Sequence, residues 1–328
     1  MIAAANRISL ILATTLALAS CADPDAGAQW RHPMTAWGDP DLQGRWPIEH
    51  MNGTPIERPE ALGERRFLTD EEFAERETRL AALNGRYDQE IATNKMGMGH
   101  WAELGLPNRL TSLVSEPANG RIPALTAEGQ RRSAVMRSSG LSDKFDSVAD
   151  FSAVDRCISR GLPASMFPFM YNNGIEIIQA PGYVVMRLEL IHETRVIPVD
   201  GRPPLAPAVR QWLGEPRGRF EGFALVVETT NFNGQTPMIH GPPGYSALLP
   251  TSESMRIVER FTRTSDDTIE YEISIEDPEV LTQPWEAAYP WRRDPSYEMF
   301  EYACHEDNHT LRDFITTSRY ERARQATR

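Results

Sequence analysis

The chain has 328 residues, with 34 Lys or Arg against 46 Asp or Glu, which gives a formal net charge of −12 at pH 7. Nucleic-acid binding depends on basic side chains that neutralise phosphates, so this acidic balance excludes nucleic acid as an expected partner. A chain of this length with 41% hydrophobic residues can bury a large core, and no low-complexity linker divides it.

The first segment, residues 1–20, has the pattern of a secretory signal peptide. One cation, Arg7, precedes the apolar stretch Ile8–Leu18, and small residues follow. This stretch would form about 16 Å of helix, too short to cross a hydrocarbon core of about 30 Å. The sequence therefore predicts export to the periplasm. The residues up to Cys21 resemble a lipobox, which predicts a lipid anchor at Cys21 in the outer membrane; the alternative is cleavage after Ala28 without an anchor.

The cysteines fit an exported protein. If Cys21 carries lipid, Cys157 and Cys304 are the two thiols left in an oxidising compartment, and we expect them to form a disulfide. Such a bond would close a loop of roughly 150 residues, which the chain-entropy relation values at about 5 kcal/mol. The alternative is two separately buried thiols.

Residues 21–167 are rich in proline and glycine, which favours a wrapping segment with short helices over an independent core. The clearest helix begins at Thr69, because Thr69 and Glu72 form a capping box. Further helices are predicted from Thr126 and over Phe151–Ile158. The apolar stripe of the first helix consists of Phe73, Leu80 and Leu83.

Residues 168–305 change to short β-type runs separated by turn residues, and residues 306–328 are predicted as a C-terminal helix. Turns at residues 180–182 and 265–267 join neighbouring runs into hairpins, which predicts a mainly β, antiparallel core. Its simplest closure is a lipocalin-like barrel, and the rival is a two-sheet sandwich. The predicted strands are Ile175–Gln179, Tyr183–Leu190, Arg195–Val199, Phe223–Phe232, Met255–Thr264, Thr268–Glu276 and Met299–Cys304.

The predicted strand Thr268–Glu276 alternates between apolar and charged side chains. Because successive side chains of a strand point to opposite faces, Tyr271 and Ile273 share one face while Glu270 and Glu272 share the other. One interpretation is an apolar interior with a solvated exterior. The other is that the wrapping segment covers the apolar face and the charged face lines a polar pocket.

A concentrated set of reactive side chains lies where one predicted strand turns into the next. Glu189, His192 and Arg195 fall within seven residues there. An imidazole oriented by a carboxylate, with a cation near a developing anion, is an arrangement suited to acid/base catalysis. We therefore predict His192 as the proton-transfer group and Glu189 as the residue that orients it. Arg195 or Arg260 would stabilise the anion; the alternative is a surface turn with ion pairs worth under about 1 kcal/mol each.

The string from His305 to His309 contains the pattern H-E-x-x-H, which on a helix can bind zinc and activate water. Here the pattern follows directly on a β-type run, and no further ligand is indicated after it. We therefore favour no metal and no other cofactor, with a divalent ion held by His305 and His309 as the alternative. His305 and Glu306 are predicted as a second acid/base or metal-ligating pair.

Substrate-binding side chains are predicted at several further positions. Tyr171, Asn172 and Asn173 offer hydroxyl and amide groups where a strand begins, although Asn-Gly also suits a plain turn. Arg260 is assigned to the substrate as a cation. Aromatic residues near predicted loops would ring the mouth of an apolar cavity or close the ends of the barrel. They are Trp212, Phe220, Trp285, Tyr289 and Trp291.

Patterns of several large enzyme classes are missing from the sequence. There is no G-x-S-x-G elbow, no P-loop and no G-x-G-x-x-G string. These absences disfavour serine hydrolases of the elbow type, P-loop nucleotide hydrolases and dinucleotide-binding enzymes.

Eight short strings spread along the chain form a recognisable set. They are Pro40–Trp46, Pro55–Pro59, Tyr171–Asn173, Ile191–Arg195, Arg210–Gly214, Val226–Phe232, Glu259–Arg263 and Glu301–Glu306. Together they resemble a large group of secreted bacterial proteins, over nearly the whole mature chain. The resemblance implies no particular reaction or cofactor, and it points to His192, Arg195, His305 and Glu306 as motif members. The group commonly has glycine where this chain has Asp307.

These observations lead to one functional prediction and one alternative. The prediction is an exported enzyme that acts on a small, partly apolar molecule by acid/base chemistry of the lyase, isomerase or hydrolase type. The alternative is a lipocalin-like carrier or sensor of an apolar metabolite without catalysis. Both predict a small-molecule ligand as the partner.

Overall fold

The structure, a computed structural model, describes residues 30–95, 97–140, 142, 144–239, 248–306 and 308–327. The chain divides into two compact units, residues 1–31 and 32–328, and only Trp30 and Arg31 of the first are described. The predicted signal peptide over residues 1–20 and the predicted lipid site Cys21 lie outside the described residues. None of the helices in the described part of the chain combines the length and apolar character that spanning a membrane requires.

Antiparallel β-sheets dominate the described structure of the second unit. The strands are β1 (Gly44–Arg45), β2 (Val114–Glu116), β3 (Ile175–Ala180), β4 (Tyr183–Leu188), β5 (Thr194–Pro198), β6 (Glu215–Glu221), β7 (Ala224–Thr230), β8 (Arg256–Arg263), β9 (Thr268–Glu276) and β10 (Trp285–Arg292). One sheet has the order β1-β3-β4-β5, and the other has the order β2-β10-β9-β8-β7-β6. The predicted mainly β, antiparallel fold is confirmed. Two separate sheets fit the sandwich, since no closed barrel forms among the described residues.

Both sheets contribute their inner faces to one hydrophobic core. Val184 and Met186 come from β4, Phe261 comes from β8, and Trp46 comes from the wrapping segment. Strand β9 buries its apolar residues and leaves the glutamates between them exposed. The interpretation of an apolar interior and a solvated exterior is therefore confirmed for this strand.

Three α-helices accompany the sheets: α1 (Asp70–Ala92), α2 (Ala127–Val135) and α3 (Thr310–Ala326). The predicted capping box begins α1, because the Thr69 side chain accepts from the Glu72 backbone N–H while the Glu72 side chain accepts from the Thr69 N–H. Thr126 caps α2 by accepting from the Gly129 N–H. The predicted disulfide between Cys157 and Cys304 is confirmed, with a sequence separation of 147 between its two cysteines.

Two predicted elements are wrong. The predicted helix over Phe151–Ile158 is a series of turns after a 3-10 helix at Val148–Asp150, because the Asp155 carboxylate holds the loop together by accepting from the backbone N–H groups of Ser139 and Ser152. The predicted strand Met299–Cys304 is irregular. Its Phe300 N–H donates to the Glu189 carboxylate at 3.0 Å instead of to a neighbouring strand.

Candidate functional site

The predicted proton-transfer group His192 lies at the end of a tight 3-10 turn and is exposed. Ile191 and His192 both have positive φ angles, 60° and 46°, so the backbone reverses sharply between β4 and β5. The His192 ring has no hydrogen-bond partner among the residues that the structure describes. Its predicted orienting residue, Glu189, is 3% exposed and bonds elsewhere. The structure therefore does not join these two side chains.

The Glu189 carboxylate instead holds two distant segments of backbone together. It accepts from the side-chain amide of Asn172 at 2.8 Å and from the Gly174 N–H at 3.2 Å. It also accepts from the Tyr297 hydroxyl at 2.8 Å and from the Phe300 N–H at 3.0 Å. Three N–H donors and the Tyr297 hydroxyl, whose one proton is shared with Glu103, surround this carboxylate, and none of these groups is an imidazole.

Arg195, the predicted anion stabiliser, points into the core. On β5 its neighbours Thr194 and Val196 are exposed, so the alternation of the strand turns Arg195 inward. Its guanidinium forms a two-pronged, fully buried ion pair with Glu259 of β8, and the Tyr271 hydroxyl donates to the same carboxylate at 3.0 Å. The charge of Arg195 is therefore neutralised inside the protein.

The other predicted cation pairs with a carboxylate, and the predicted aromatic residue borders a groove. Arg260 points outward from β8 and pairs with Glu221 at 3.1 Å. Trp212 borders a groove of about 480 Å³ between β5 and residues 210–216, which Arg195 also lines. Of the other aromatics, Trp285, Tyr289 and Trp291 are buried in the core rather than placed around a mouth.

The predicted binding residues Tyr171, Asn172 and Asn173 form a turn that is fixed by Glu103. The Glu103 carboxylate accepts from the Asn172 N–H at 2.8 Å, the Asn173 N–H at 3.1 Å and the Asn173 side-chain amide at 2.7 Å. Asn172 has a φ of 54°, which asparagine tolerates better than most residues. The ring of Tyr171 packs against Trp101, with 5.3 Å between their centroids.

The H-E-x-x-H string does not lie on a helix. Residues Cys304–Glu306 form an exposed or half-exposed turn, and α3 begins only at Thr310, after His309. Across the described residues, no group of three or more His, Cys, Asp or Glu side chains is arranged to hold a metal ion.

A carboxylate cluster that sequence reasoning missed surrounds Tyr297. The Tyr297 hydroxyl lies 2.9 Å from Glu103 Oε1 and 2.8 Å from Glu189 Oε2, and its one proton can be donated to only one of them at a time. Burial and the two carboxylates raise the pKa of Tyr297 well above its ordinary value. Glu49 is close to Glu103 and Asp294, and burial followed by these two charges raises the pKa of Glu49 to about 7.

A cavity of about 480 Å³ lies between α1 and the core, and we call it the α1 cavity. Most of its lining is apolar, and it includes side chains from α1, from residues 51–56, from residues 102–105 and from residues 168–170. The lining includes Met51, Ile56, Leu80, Leu83, Asn84, Glu103, Leu113 and Phe169. The apolar stripe of α1 was visible in the sequence, but the segments it faces were not.

One polar atom in the wall of the α1 cavity lacks a partner. The Asn84 side-chain oxygen Oδ1 is buried, and no described residue donates a hydrogen bond to it. A buried acceptor without a donor costs about 1–3 kcal/mol, so a donor group on a bound molecule would be favourable here. The Glu103 carboxylate, which also lines this cavity, already accepts from three N–H groups of Asn172 and Asn173 and shares the Tyr297 hydroxyl proton with Glu189.

Comparison with protein-family models, with curated proteins and with solved structures gives no match to this chain. The resemblance to secreted bacterial proteins therefore stays a prediction from the strings of the sequence. Function has to be inferred from the cavities and from the residues that line them.

Proposed function

We propose that this chain is an exported protein that binds a small, largely apolar molecule in the α1 cavity. The observation that carries the proposal is the cavity itself, about 480 Å³ enclosed mainly by apolar side chains. Ligand sites for small molecules are typically concave, largely apolar and about 300–1,000 Å³ in volume, with a few polar groups that fix orientation. Export rests on the signal-peptide pattern of residues 1–20.

The lining favours an apolar body for the ligand. Leu80 and Leu83 approach from α1, Phe169 approaches from the segment before β3, and Met51 and Leu113 belong to the core cluster. Apolar surface removed from water gains about 25 cal/mol per Å². A ligand of this shape would be bound chiefly by such burial.

The unpartnered Asn84 Oδ1 favours a ligand with one hydrogen-bond donor, such as a hydroxyl or an amine. Asn52 lines the same cavity, but its side-chain amide already donates to the Glu103 backbone oxygen at 3.0 Å. An apolar molecule with a single donor near α1 therefore matches the chemistry of the wall.

Binding fits this cavity better than acid/base catalysis does. Among the described residues its lining contains no histidine and one carboxylate, Glu103, which already accepts from three N–H groups of Asn172 and Asn173. The catalytic assignments to His192, Arg195, His305 and Glu306 remain predictions. Of the two hypotheses drawn from the sequence, we therefore favour the carrier or sensor.

Binding of N-phenyl-1-naphthylamine, an apolar fluorophore with one N–H donor, tests the proposal. Leu83→Trp should fill the cavity and weaken binding of the fluorophore at least tenfold. Ala82→Trp places the same side chain at an exposed position of the same helix and should leave binding unchanged. Asn84→Leu should weaken binding about fivefold, the value of one hydrogen bond of about 1 kcal/mol. Equal binding by the Leu83→Trp and Ala82→Trp variants would place the ligand elsewhere and refute the proposal.

A further inference from the structure

A second cavity, of about 290 Å³, lies on the outer side of the six-stranded sheet, and we call it the His50 cavity. Its floor comes from the ends of β9 and β10, and its roof comes from three parts of the wrapping segment, residues 50–51, 66–67 and 106–110. It shares Met51 with the α1 cavity and otherwise has its own lining. The lining residues are His50, Met51, Arg66, Phe67, Leu106, Pro107, Asn108, Leu110, Glu270, Ala288, Tyr289, Pro290 and Arg292.

Two exposed cations, Arg66 and Arg292, border this cavity. The guanidinium groups of Arg66 and Arg292 make no hydrogen bond and no ion pair with any residue in the described part of the chain, although the charge of Arg66 acts at longer range on Glu270 and that of Arg292 on Asp267. By contrast, Arg256 on the same sheet pairs with Glu228 at 2.6 Å. Although the chain has a net charge of −12, this cavity therefore has two guanidinium groups that a bound anion could pair with.

The remaining titratable groups leave the cavity with a positive balance. Glu270 is the one carboxylate in the lining, and desolvation followed by the charge of Glu272 raises its pKa. His50 is 4% exposed, and burial followed by Arg292 lowers its pKa to about 4, so the imidazole is neutral at pH 7. Two guanidiniums thus face a single carboxylate.

His50 adds a buried polar atom without a partner. Its Nε2 lies 3.0 Å from the Pro290 carbonyl oxygen, which can only accept, so the neutral ring carries its proton on Nε2. The other ring nitrogen, Nδ1, is buried and has no hydrogen-bond partner among the described residues. The wall of the cavity is therefore polar and uncharged at His50, and cationic at Arg66 and Arg292.

The rest of the lining is apolar apart from Asn108, whose side chain bonds to Thr54 and to the Leu110 N–H. Met51 and Tyr289 are buried, while Phe67 and Leu106 are 56% and 49% exposed at the opening. Exposed apolar side chains beside unpaired cations suit a molecule that has both an apolar body and an acidic group. A simple inorganic anion would gain nothing from these side chains.

We propose that the His50 cavity binds a small organic acid, with its carboxylate between Arg66 and Arg292 and its apolar body against Met51, Phe67 and Leu110. Guanidinium groups are well suited to carboxylates, because their N–H donors match the two oxygens. The site is separate from the α1 cavity, and its failure would leave the proposed function untouched. The ligand class is also different, since the α1 cavity offers no cation.

Calorimetric titration of the full chain with 3-phenylpropionate tests the proposal. Two matched probes distinguish the apolar contribution to affinity from the electrostatic one. The alcohol 3-phenyl-1-propanol has the same apolar group without the negative charge, and inorganic phosphate has negative charge without an apolar group. We expect the acid to bind at least tenfold more tightly than either probe, and its affinity to fall as salt is added. Equal binding of the alcohol, or stronger binding of phosphate, would overturn the proposal.

Substitutions of the two arginines test whether the acid binds in the His50 cavity. Arg66→Gln and Arg292→Gln should each weaken binding of 3-phenylpropionate about tenfold, and the double variant should abolish it. Arg256→Gln removes the same charge from the same sheet outside the cavity and should leave the affinity within twofold of that of the unaltered chain. Unchanged affinity in the double variant would refute the proposal, as would absence of binding to the unaltered chain at millimolar 3-phenylpropionate.

Discussion

Glu49 and His50 are neighbours whose pKa values are shifted in opposite directions, and this predicts a particular pH dependence of stability. Burial raises the pKa of Glu49 from 4.5 to about 7, so the native state keeps a proton that the unfolded chain releases between these values. Stability contributed by the protonated Glu49 is therefore lost as pH rises from about 4.5 to 7. Glu49→Gln replaces the acid with a permanently neutral side chain of the same shape, which removes this loss.

The size of the stability difference follows from the pKa shift of Glu49. At 1.36 kcal/mol per pKa unit, the shift of Glu49 has an upper limit of about 3 kcal/mol. Glu49 is only partly buried, and solvent screening reduces this to about 1–2 kcal/mol. Glu49→Gln should therefore match the unaltered chain in stability near pH 4 and exceed it by about 1–2 kcal/mol at pH 8.

His50 acts in the opposite sense. Its pKa falls from 6.5 to about 4 on folding, so the unfolded chain binds a proton between these values that the native state does not. The contribution of neutral His50 is present above about pH 6.5 and is lost as pH falls toward 4. In the unaltered chain the two contributions oppose each other between about pH 4.5 and 6.5. In Glu49→Gln, of this pair only the His50 contribution remains, so the stability of the variant relative to the unaltered chain should rise with pH across that window.

Urea unfolding followed by tryptophan fluorescence at several pH values from 4 to 8 measures these differences. Glu298→Gln removes one exposed carboxylate and serves as the control for net charge. The informative quantity is the stability of each variant minus that of the unaltered chain at the same pH. A Glu49→Gln difference that stays constant with pH, or a variant that is less stable than the unaltered chain at pH 8, would refute the reasoning.

Three further predictions concern stability alone. Replacing both Cys157 and Cys304 with serine should lower the free energy of unfolding by about 2–5 kcal/mol, and a loss near zero in urea titrations would contradict the disulfide. Glu259→Leu should cost about 3–5 kcal/mol because it leaves Arg195 charged in the core. Adding Arg195→Met should recover most of that loss, and a double variant no more stable than Glu259→Leu would argue against an uncompensated charge. Thr69→Ala should cost about 1 kcal/mol, measured by thermal unfolding, through loss of the α1 cap; an unchanged midpoint would count against that cap.

Several features were predictable because their determinants lie within a few residues of each other. The cap at Thr69 needs only Glu72 three positions later. The burial pattern of β9 follows from strict alternation, so the sequence alone identified its inward residues. The disulfide was predictable for a different reason, since two cysteines remained for one compartment.

The failures have a common physical origin in contacts between distant parts of the chain. Strand β6 was not among the predicted strands. It contains Pro216 and Gly218 and lacks clear apolar alternation, so whether it forms a strand depends on pairing with β7. The predicted strand at Met299–Cys304 does not form, because the Phe300 N–H is taken by the Glu189 carboxylate, 111 residues earlier. The residue pattern of a short segment does not indicate that a distant side chain will take one of its backbone donors.

The candidate sites were decided by the tertiary structure. The sequence by itself determined the apolar stripe of α1, the antiparallel β character and the acidic balance, because each is a property of local pattern or composition. Only packing decided that Glu189 clamps backbone instead of orienting His192, and that Arg195 pairs with Glu259 inside the core. A cavity exists where several segments fail to fill the space between them, and that depends on how distant segments meet rather than on any one of them.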